Sequence, residues 1–444
     1  MQLQATSDAP RTWLERLGIY RPLLWGYVGL LLFMIGDGVE AGYLSKYLVD
    51  RRIASEHDVA LIFTVYGITV AIAAWLSGAL SDLWGPRQVM AIGLLIWAVF
   101  EIGFLLLGIS PGNYWLILVL YALRGFGYPL FAYGFLVWIT AAAPRERLGT
   151  AVGWFWFALT GGLFTSSSLL ASFAIPLIGP YATLWCSLAL VILGGLIGLI
   201  GVNEPTGKRR LAPPGTHPVR TLLSSVSIAW REPKTAIGCI VRIINTAPQN
   251  GFLVFLPIYF TETIGFELEQ WLRLLFFMFL SNIIWNLLFG FLGDRLGWRE
   301  TVAWCGGIGS AITTLLLYYV PHTLGANYPL SVLAAILYGA TLAGYVPLSA
   351  LMPSLAPHNK GAAMSLLNLG AGASNWVGPA IVYLFLSRWG VGGVMWIYAG
   401  LYVVSAVLTL FLTLPTEEPS RTQATRSRTN LPGQEAVHDT GSGR

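Results

Sequence analysis

The sequence predicts an all-α membrane protein in which twelve transmembrane helices form two pseudo-symmetric six-helix bundles. Hydrophobic residues make up 55% of the 444 residues and charged residues 11%, whereas a soluble protein carries about 25% charged residues. Twelve apolar runs reach the length of about 20 residues that a helix needs to cross a bilayer. The pattern G-x-x-x-D-x-x-G-x-R occurs twice, 212 residues apart, which indicates that the two halves of the chain are related.

The apolar runs divide the chain into two sets of six spans. We expect the first six spans at 22–48, 59–82, 88–109, 113–141, 148–174 and 181–202. We expect the second six at 234–262, 269–292, 300–320, 328–354, 360–386 and 391–414. The expected domains are a cytoplasmic N-terminal segment at 1–21, a six-helix bundle at 22–202, a cytoplasmic linker at 203–233, a second bundle at 234–414 and a disordered cytoplasmic tail at 415–444. The linker is polar and contains several prolines, and the tail is poor in apolar residues, which is typical of segments without a packed core.

Basic residues are unequally distributed between the two ends of the spans. When the N-terminus is placed in the cytoplasm, 19 of the 26 Lys and Arg residues fall in cytoplasmic segments, 5 in outside segments and 2 within spans. An excess of positive charge is typical of cytoplasmic loops, so both termini are expected in the cytoplasm. Because the basic residues gather on one membrane face, the net charge of +5 does not indicate a nucleic-acid partner.

The repeated pattern falls on two short cytoplasmic turns. The first copy consists of Gly78, Asp82, Gly85 and Arg87, and the second of Gly290, Asp294, Gly297 and Arg299. We expect the first glycine of each copy to allow close helix approach, and the Asp to cap the next helix and meet a nearby basic residue. For a single copy, a well-capped tight turn is an equal alternative. Two copies at matched positions favour a paired cytoplasmic gate.

The turns, the twelve spans and the central linker resemble the major facilitator superfamily over the whole chain. The motif R-G-F-G at 124–127 is similar to the Arg-plus-glycine motif of its fourth helix. Four stretches resemble the polyol permease family, which includes bacterial ribitol and D-arabinitol transporters. They are M-I-G-D-G at 34–38, A-W-L-S-G at 74–78, L-R-G-F-G-Y-P-L-F-A-Y at 123–133 and G-W-F-W-F at 153–157, all in the N-terminal half.

This resemblance implies the major facilitator fold and a function in secondary active transport by alternating access. It implies a neutral sugar alcohol, a pentitol or hexitol, as the substrate. It places the chain in the bacterial inner membrane as a multi-pass monomer. No cofactor is expected, and a proton is the expected coupling ion.

Five charged residues fall within expected spans: Asp37, Glu40, Glu101, Arg124 and Arg242. Each would cost about 2.5–3.5 kcal/mol unpaired at the bilayer centre, so we expect pairing, protonation or contact with a water-filled cavity. Asp37 and Glu40 are three apart and are expected on one helix face. The resemblance implies that Asp37 takes up the coupling proton and faces Arg124, with Glu40 serving substrate or proton, although a static pair is the alternative. We expect Glu101 either to pair with Arg124 or to stabilise the packing of the bundle. We expect Arg242 either to pair with a residue of the other half or to extend its charged end toward the membrane surface.

Polar uncharged side chains predict a substrate cavity between the halves, because carboxamides both donate and accept hydrogen bonds and suit a polyhydroxy solute. We expect the seventh span to be broken at Pro248 and Gly251, which would expose backbone groups to solute. Helix-to-helix bonding is the alternative for each carboxamide. The expected substrate-binding residues are Glu40, Tyr128, Tyr133, Trp154, Trp156, Asn245, Gln249, Asn250, Asn282, Asn286, Asn368 and Asn375.

Other classes of protein fit the sequence less well. The five histidines do not cluster, and no zinc spacing, nucleophile elbow or phosphate-binding loop occurs, so neither an enzyme nor an ATP-driven pump is expected. A proton symporter of sugar acids or other organic anions is the main alternative, and it would need a free cation at the substrate site. A nutrient sensor built on a transporter scaffold is a further alternative.

Overall fold

The computed structural model describes residues 19–144, 148–211, 228–357 and 359–414, and the regular elements within these ranges are all helices. The expected tail at 415–444, residues 1–18 of the N-terminal segment and residues 212–227 of the linker lie outside the described residues. Ten described helices are long and apolar enough to cross a membrane. They are Glu56–Trp84, Pro86–Ile109, Tyr114–Ala142, Leu148–Ile178, Pro180–Gly201, Pro233–Ile264, Leu268–Leu296, Trp298–Leu324, Tyr328–Leu355 and Ala362–Leu410.

These helices account for the twelve expected spans. The first span is divided into Leu24–Gly38 and Leu44–Asp50 by a turn, so neither part alone reaches membrane length. The last helix, Lys360–Leu410, contains two spans, because Gly390 has φ 64° and ψ −176° and kinks the chain between them. The prediction of twelve transmembrane helices is confirmed, and the spans are numbered one to twelve below.

Local sequence sets many helix ends. Ser55 and Asp58 form a reciprocal capping box at the start of the second span. The side chains of Asn113 and Asn327 accept backbone N–H groups at the starts of the fourth and tenth spans. Such caps satisfy N–H groups that have no partner within the helix. The expected span limits therefore agree with the observed ones to within a few residues.

The two repeated turns share one backbone conformation. Gly85 has φ 92° and ψ 138°, and Gly297 has φ 96° and ψ 135°. Side chains other than glycine rarely adopt this region, and strain there costs about 1–3 kcal/mol. The second glycine of each copy therefore allows one helix to end and the next to begin at once.

The expectation that Asp82 and Asp294 cap the next helix is wrong. Neither helix that follows a repeated glycine has a side-chain cap. The side chain of Asp294 instead accepts a hydrogen bond from Trp298 Nε1 at 2.9 Å, and the backbone carbonyl of Asp82 accepts one from Leu211 N at 2.9 Å. Each Asp belongs to the last turn of the preceding helix, and the glycine with positive φ then turns the chain away from it.

The two halves meet on the side of the membrane opposite to the repeated turns. We call the side of residues 78–87 and 290–299 the turn side, and the opposite side the far side. Between the second and eleventh spans, a Cβ atom on Gly67 would overlap Asn375 O, and one on Gly372 would lie 3.4 Å from Ala71 Cα. A Cβ atom on Gly78, further toward the turn side, would meet no described atom within 4 Å.

The fifth and eighth spans separate in the same direction. The rings of Phe164 and Phe279 stack with their centroids 4.5 Å apart. Closer to the turn side, Cβ atoms on Gly153 and Gly290 would meet nothing within 4 Å in the described part of the chain. The central cleft is thus sealed on the far side and open on the turn side. The expected close approach at Gly78 and Gly290 is wrong for this conformation, because the helices have separated there.

We predict that Gly85→Ala and Gly297→Ala each destabilise the protein by about 1–3 kcal/mol, because alanine strains the backbone at these angles. Thermal unfolding in detergent, followed by tryptophan fluorescence, measures the loss. Gly78→Ala and Gly290→Ala are matched controls within the same repeats, since their added Cβ atoms meet open space. An equal loss in all four variants would contradict this account of the turns.

Candidate functional site

A buried guanidinium lies at the centre of the N-terminal half. Arg124 ends the helical segment Tyr114–Arg124, where the fourth span is interrupted. Its Nη1 atom donates to Glu101 Oε2 at 2.6 Å, and its Nη2 atom donates to Glu40 Oε1. All three side chains are at most 1% exposed. Together they form an ion-paired triad with one more negative than positive charge when both acids are ionised.

Aromatic rings surround the guanidinium of Arg124. Its Cζ atom lies 4.5 Å from the ring centroid of Tyr121, 4.8 Å from Trp97, 5.6 Å from Tyr66 and 5.9 Å from Phe104. Cations are attracted to the faces of aromatic rings, and more strongly where water is excluded. Tyr121 precedes Arg124 by three residues, so both lie on one face of the fourth span. The rings and the two acids fix the position of this cation.

Asp37 occupies a separate position beside the triad. Its Oδ1 atom accepts a hydrogen bond from Trp97 Nε1 at 2.5 Å. The expected direct pairing of Asp37 with Arg124 is wrong, because Glu40 and Glu101 occupy the guanidinium. Trp97 links the two sites, since its ring faces Arg124 while its N–H group binds Asp37.

The break in the first span explains this exchange of partners. The helix ends at Gly38, and residues 39–43 form a turn. Gly36 O, which would accept the N–H group of Glu40 in a continuous helix, accepts Ser187 Oγ at 2.6 Å. A Cβ atom on Gly38 would overlap Leu163 O, so the fifth span packs directly on the end of the helix. Asp37 and Glu40 are therefore not on one continuous helix face as expected.

Each member of the triad keeps one buried polar atom without a hydrogen-bond partner among the described residues. These atoms are Glu40 Oε2, Glu101 Oε1 and Arg124 Nε. An ionised carboxylate has lone pairs on both oxygens. Either acid can therefore accept a proton at its unpartnered oxygen while the other oxygen stays in contact with Arg124. This arrangement suits reversible protonation.

A central cavity lies next to this triad and between the two halves. Its volume, measured as the space open to the centre of a water-sized sphere, is about 60 Å³. Both halves contribute to it, and of the expected substrate-binding residues, Glu40, Tyr128, Asn250 and Asn375 lie on its wall. The lining residues are Asp37, Glu40, Ala41, Phe63, Tyr66, Tyr121, Tyr128, Leu163, Phe164, Asn250, Leu253, Asn375 and Pro379.

Two lining tyrosines were missed by the sequence argument. Tyr66 and Tyr121 stack on each other with their centroids 4.4 Å apart, and both contact the cavity. Tyr121 could have been found from its three-residue spacing to Arg124. Tyr66 had no comparable signal, because nothing in the sequence indicates which face of the second span meets the fourth.

The remaining expected carboxamides have different surroundings. Asn282 Nδ2 donates to Gly339 O at 3.1 Å, and Asn286 Nδ2 donates to Asn282 Oδ1 at 3.3 Å. The first bond joins the eighth and tenth spans, as polar residues often do between membrane helices, and the second lies within the eighth span. Asn368 is exposed, and Gln249 is buried outside the cavity wall.

Asn245 is buried, and its Oδ1 atom has no hydrogen-bond partner within the described ranges. Its backbone carbonyl accepts Tyr402 Oη at 3.0 Å. On the fifth span, Trp154 is half-buried, and Trp156 is exposed on the face that also carries Gly153. These three expected substrate residues lie outside the cavity wall in this conformation.

The seventh span is continuous where a break was expected. One helix runs from Pro233 to Ile258 through Pro248 and Pro257. The eleventh span supports it, because Gly378 lets that helix approach so closely that a Cβ atom would overlap Ala247 O. Packing of this kind allows a membrane helix to tolerate the missing N–H group of proline. The expectation of a broken seventh span is wrong, and the first span carries the break instead.

Arg242 lies on the turn-side half of the seventh span. It lies near Tyr133 of the fourth span. It lies eight residues before Asn250, which places it about 12 Å from that residue along the axis and about 80° around it. No carboxylate lies within ion-pair distance of Arg242 in the described part of the chain. The expected alternative of an ion pair across the halves is therefore not found.

We predict that Arg124→Met destabilises the protein by about 3–5 kcal/mol, because it leaves two buried carboxylates without their cation. Asp37→Asn should cost much less, since asparagine still offers an oxygen to Trp97. Unfolding in detergent measures both effects. Arg273→Met removes an exposed arginine that lies over the Phe173 ring and serves as the control. If Arg124→Met lowers the free energy of unfolding less than Asp37→Asn does, the ion-paired triad is contradicted.

Comparison with known proteins agrees with this fold. A family model described as the Major Facilitator Superfamily matches residues 26–297 and 240–438. The α-ketoglutarate permease of Bacillus subtilis (strain 168) is 46% identical over 402 residues, which cover 90% of this chain and 91% of that protein. The D-arabinitol transporter of Klebsiella pneumoniae is 37% identical, with 92% of this chain and 96% of that protein covered.

The ribitol transporter of the same organism is 36% identical, with 88% of this chain and 92% of that protein covered. The resemblance to these transporters is confirmed and extends well beyond the four N-terminal stretches. The solved structure of a nucleoside transporter matches with a TM-score of 0.71 over 88% of this chain and 99% of that one, at 16% identity. The expectation that the chain is not an enzyme is also confirmed by these relatives. The chain belongs to the major facilitator superfamily and is a multi-pass membrane protein that acts as a secondary transporter of a small molecule.

Proposed function

We propose that this protein couples proton entry to the uptake of a neutral sugar alcohol, a pentitol or hexitol. The observation that carries this proposal is the chemistry of the central cavity. Its wall offers carboxylates, tyrosine hydroxyls and carboxamides, and it includes no Lys or Arg. The nearby cation, Arg124, is committed to two acids. Hydroxyl groups both donate and accept hydrogen bonds and match such a wall, whereas an anion would face the acids.

The buried acids support the proton-coupled part of the proposal. Asp37 and Glu40 both line the cavity, so a proton and a solute would enter the same space. Asp37 stays our candidate for the proton site, with Glu40 and Arg124 as its neighbours. One proton moving down a potential of about 100 mV supplies about 2.3 kcal/mol. That energy corresponds to an accumulation of about fifty-fold.

The shape of the cleft supports alternating access. A cleft sealed on the far side and open on the turn side is one of the two states that such a cycle requires. The proposed orientation puts the turn side and both termini in the cytoplasm of a bacterial inner membrane, which makes this the inward-open state. The repeated turns are then the proposed cytoplasmic gate. A single chain contains the whole cavity, which supports function as a monomer.

Arg242 favours a second candidate function, the symport of a sugar acid or another organic anion. It is a cation without a carboxylate partner among the described residues and lies toward the open end of the cleft. The relative named α-ketoglutarate permease also favours this reading. A carboxylate that entered from the turn side would meet Arg242 before it reached the acids.

Uptake by the purified protein in vesicles separates the two candidates. We predict that an inward proton gradient drives accumulation of C5 or C6 polyols, and that the matching sugar acids compete at least tenfold less well. Arg242→Gln should change polyol uptake little if the solute is neutral. Selective uptake of sugar acids that is abolished in Arg242→Gln would instead establish the anion carrier.

Asp37→Asn tests the proposed proton site. We predict that this variant loses accumulation driven by a proton gradient but retains exchange of solute across the membrane, since exchange needs no net proton movement. Radiolabelled polyol counterflow measures exchange. Asp58→Asn, at the far-side end of the second span, is a control that should keep both activities. Full proton-driven accumulation in Asp37→Asn would rule out this assignment.

The gate can be tested at the first glycines of the repeats. We predict that Gly78→Leu and Gly290→Leu reduce uptake about tenfold or more while leaving thermal stability in detergent unchanged. The added side chains meet open space in this conformation but would obstruct helix approach when the turn side closes. Ser110→Leu, in an exposed far-side loop, serves as the control. Unimpaired uptake in both glycine variants would mean that the helices do not close there.

A further inference from the structure

The turn that breaks the first span is bonded to both halves of the protein. On one side, Glu40 binds Arg124 within the N-terminal half. On the other side, the carbonyl of Gly42 accepts a hydrogen bond from Trp271 Nε1 at 2.8 Å, and Trp271 belongs to the eighth span in the C-terminal half. Only Ala41 separates the two anchored residues. The buried charge and the contact between the halves are therefore held by one short segment.

The contact at Gly42 is closely fitted. Trp271 is fully buried, and its ring stacks on Phe260 with their centroids 5.2 Å apart and their planes at 25°. A Cβ atom on Gly42 would lie 2.6 Å from Leu272 Cδ2, so a larger residue would force the Leu272 side chain to move. The absence of a side chain thus lets the backbone carbonyl of the turn reach the indole N–H group.

A second bond between the halves lies just beyond the turn. Ser45 Oγ donates to Leu253 O at 3.1 Å, and Ser45 is fully buried. In a regular helix, Leu253 O would accept the N–H group of the residue four positions later. That residue is Pro257, which has no N–H group. The proline therefore leaves a carbonyl of the seventh span available to the first span.

A third contact lies nearer the membrane surface. Lys46 Nζ lies 3.0 Å from Glu262 Oε1 and also pairs with Asp50. Both acids are about half exposed, so this pair contributes less than the buried bonds. We refer to Gly42, Ser45 and Lys46 together as the far-side latch. All three contacts of the latch join the broken first span to the opposite half.

We propose that Trp271 is a positioning residue that couples the far-side latch to the buried ion pair of Glu40 and Arg124. The turn cannot withdraw Gly42 from Trp271 without moving Glu40, because the two residues share one tight turn. Opening the far side therefore pulls Glu40 away from Arg124. Conversely, loss of the ion pair frees the turn and weakens the latch. The coupling itself is independent of the solute, and only its role in uptake rests on the proposed transport function.

The coupling can be measured without any solute. Spin labels at Ser110→Cys in the N-terminal half and Ser387→Cys in the C-terminal half report the far-side distance, since both positions are exposed. Cys186, Cys239 and Cys305 are replaced by Ser in this background. Electron–electron double resonance then gives the fraction of molecules that are open on the far side.

We expect Trp271→Phe to raise the ratio of open to closed molecules about fivefold, because phenylalanine keeps the ring stack but loses one hydrogen bond. That ratio corresponds to about 1 kcal/mol. Ser45→Ala, which removes the second bond with little change in volume, should act in the same direction. Trp304→Phe, at a tryptophan that is 65% exposed, is the matched control and should leave the ratio unchanged.

A double-mutant comparison separates coupling from simple packing. Glu40→Gln should also raise the open fraction, and combining it with Trp271→Phe should add little to the larger single effect, because both act on one turn. An unchanged distance distribution in Trp271→Phe and Ser45→Ala, or full additivity with Glu40→Gln, would overturn the proposal. If the protein carries a different solute but the coupling between the latch and the ion pair is intact, only the proposed substrate is contradicted.

Discussion

The buried pairing of Arg124 with Glu40 and Glu101 is the interaction on which the N-terminal half depends. A guanidinium inside a membrane protein is stable only where carboxylates and aromatic faces replace water. The third span supplies Glu101 and Trp97, one helical turn apart, and the fourth supplies Arg124 with Tyr121 beside it. The break in the first span accompanies this pairing, because Glu40 lies in the turn beyond the helix Leu24–Gly38.

The two halves contribute different residues to the site despite their common origin. Both carry the same turn, with nearly the same glycine angles at Gly85 and Gly297. The charged triad, however, belongs to the N-terminal half, while the C-terminal half contributes carboxamides to the cavity wall and Arg242 toward its open end. The helix break lies in the same half as the charged triad, since the first span is broken and the seventh is continuous. Duplication thus preserved the turn, while the charged residues differ between the two halves.

The two buried hydrogen bonds between the halves on the far side are both made to backbone carbonyls. Trp271 and Ser45 donate to carbonyls of the opposite half, at Gly42 and Leu253. Such bonds depend on helix position to within a few tenths of an ångström, so a small movement breaks them together. On the turn side, the glycines that face the cleft allow a close approach that this conformation does not use. The two sides therefore differ in what holds them, as the proposed alternation between them requires.

The sequence by itself determined the number and limits of the spans, the duplication and the set of residues that carry charge inside the membrane. These features depend on local composition, glycine and proline, and on the high cost of leaving apolar residues in water or charges in lipid. Only the tertiary structure decided that Glu40 rather than Asp37 binds Arg124, and that Asn250 and Asn375 rather than Asn282 face the cavity. Periodicity places a residue on a helix face, but the neighbour of that face depends on how twelve helices pack, and that packing is a property of the whole chain.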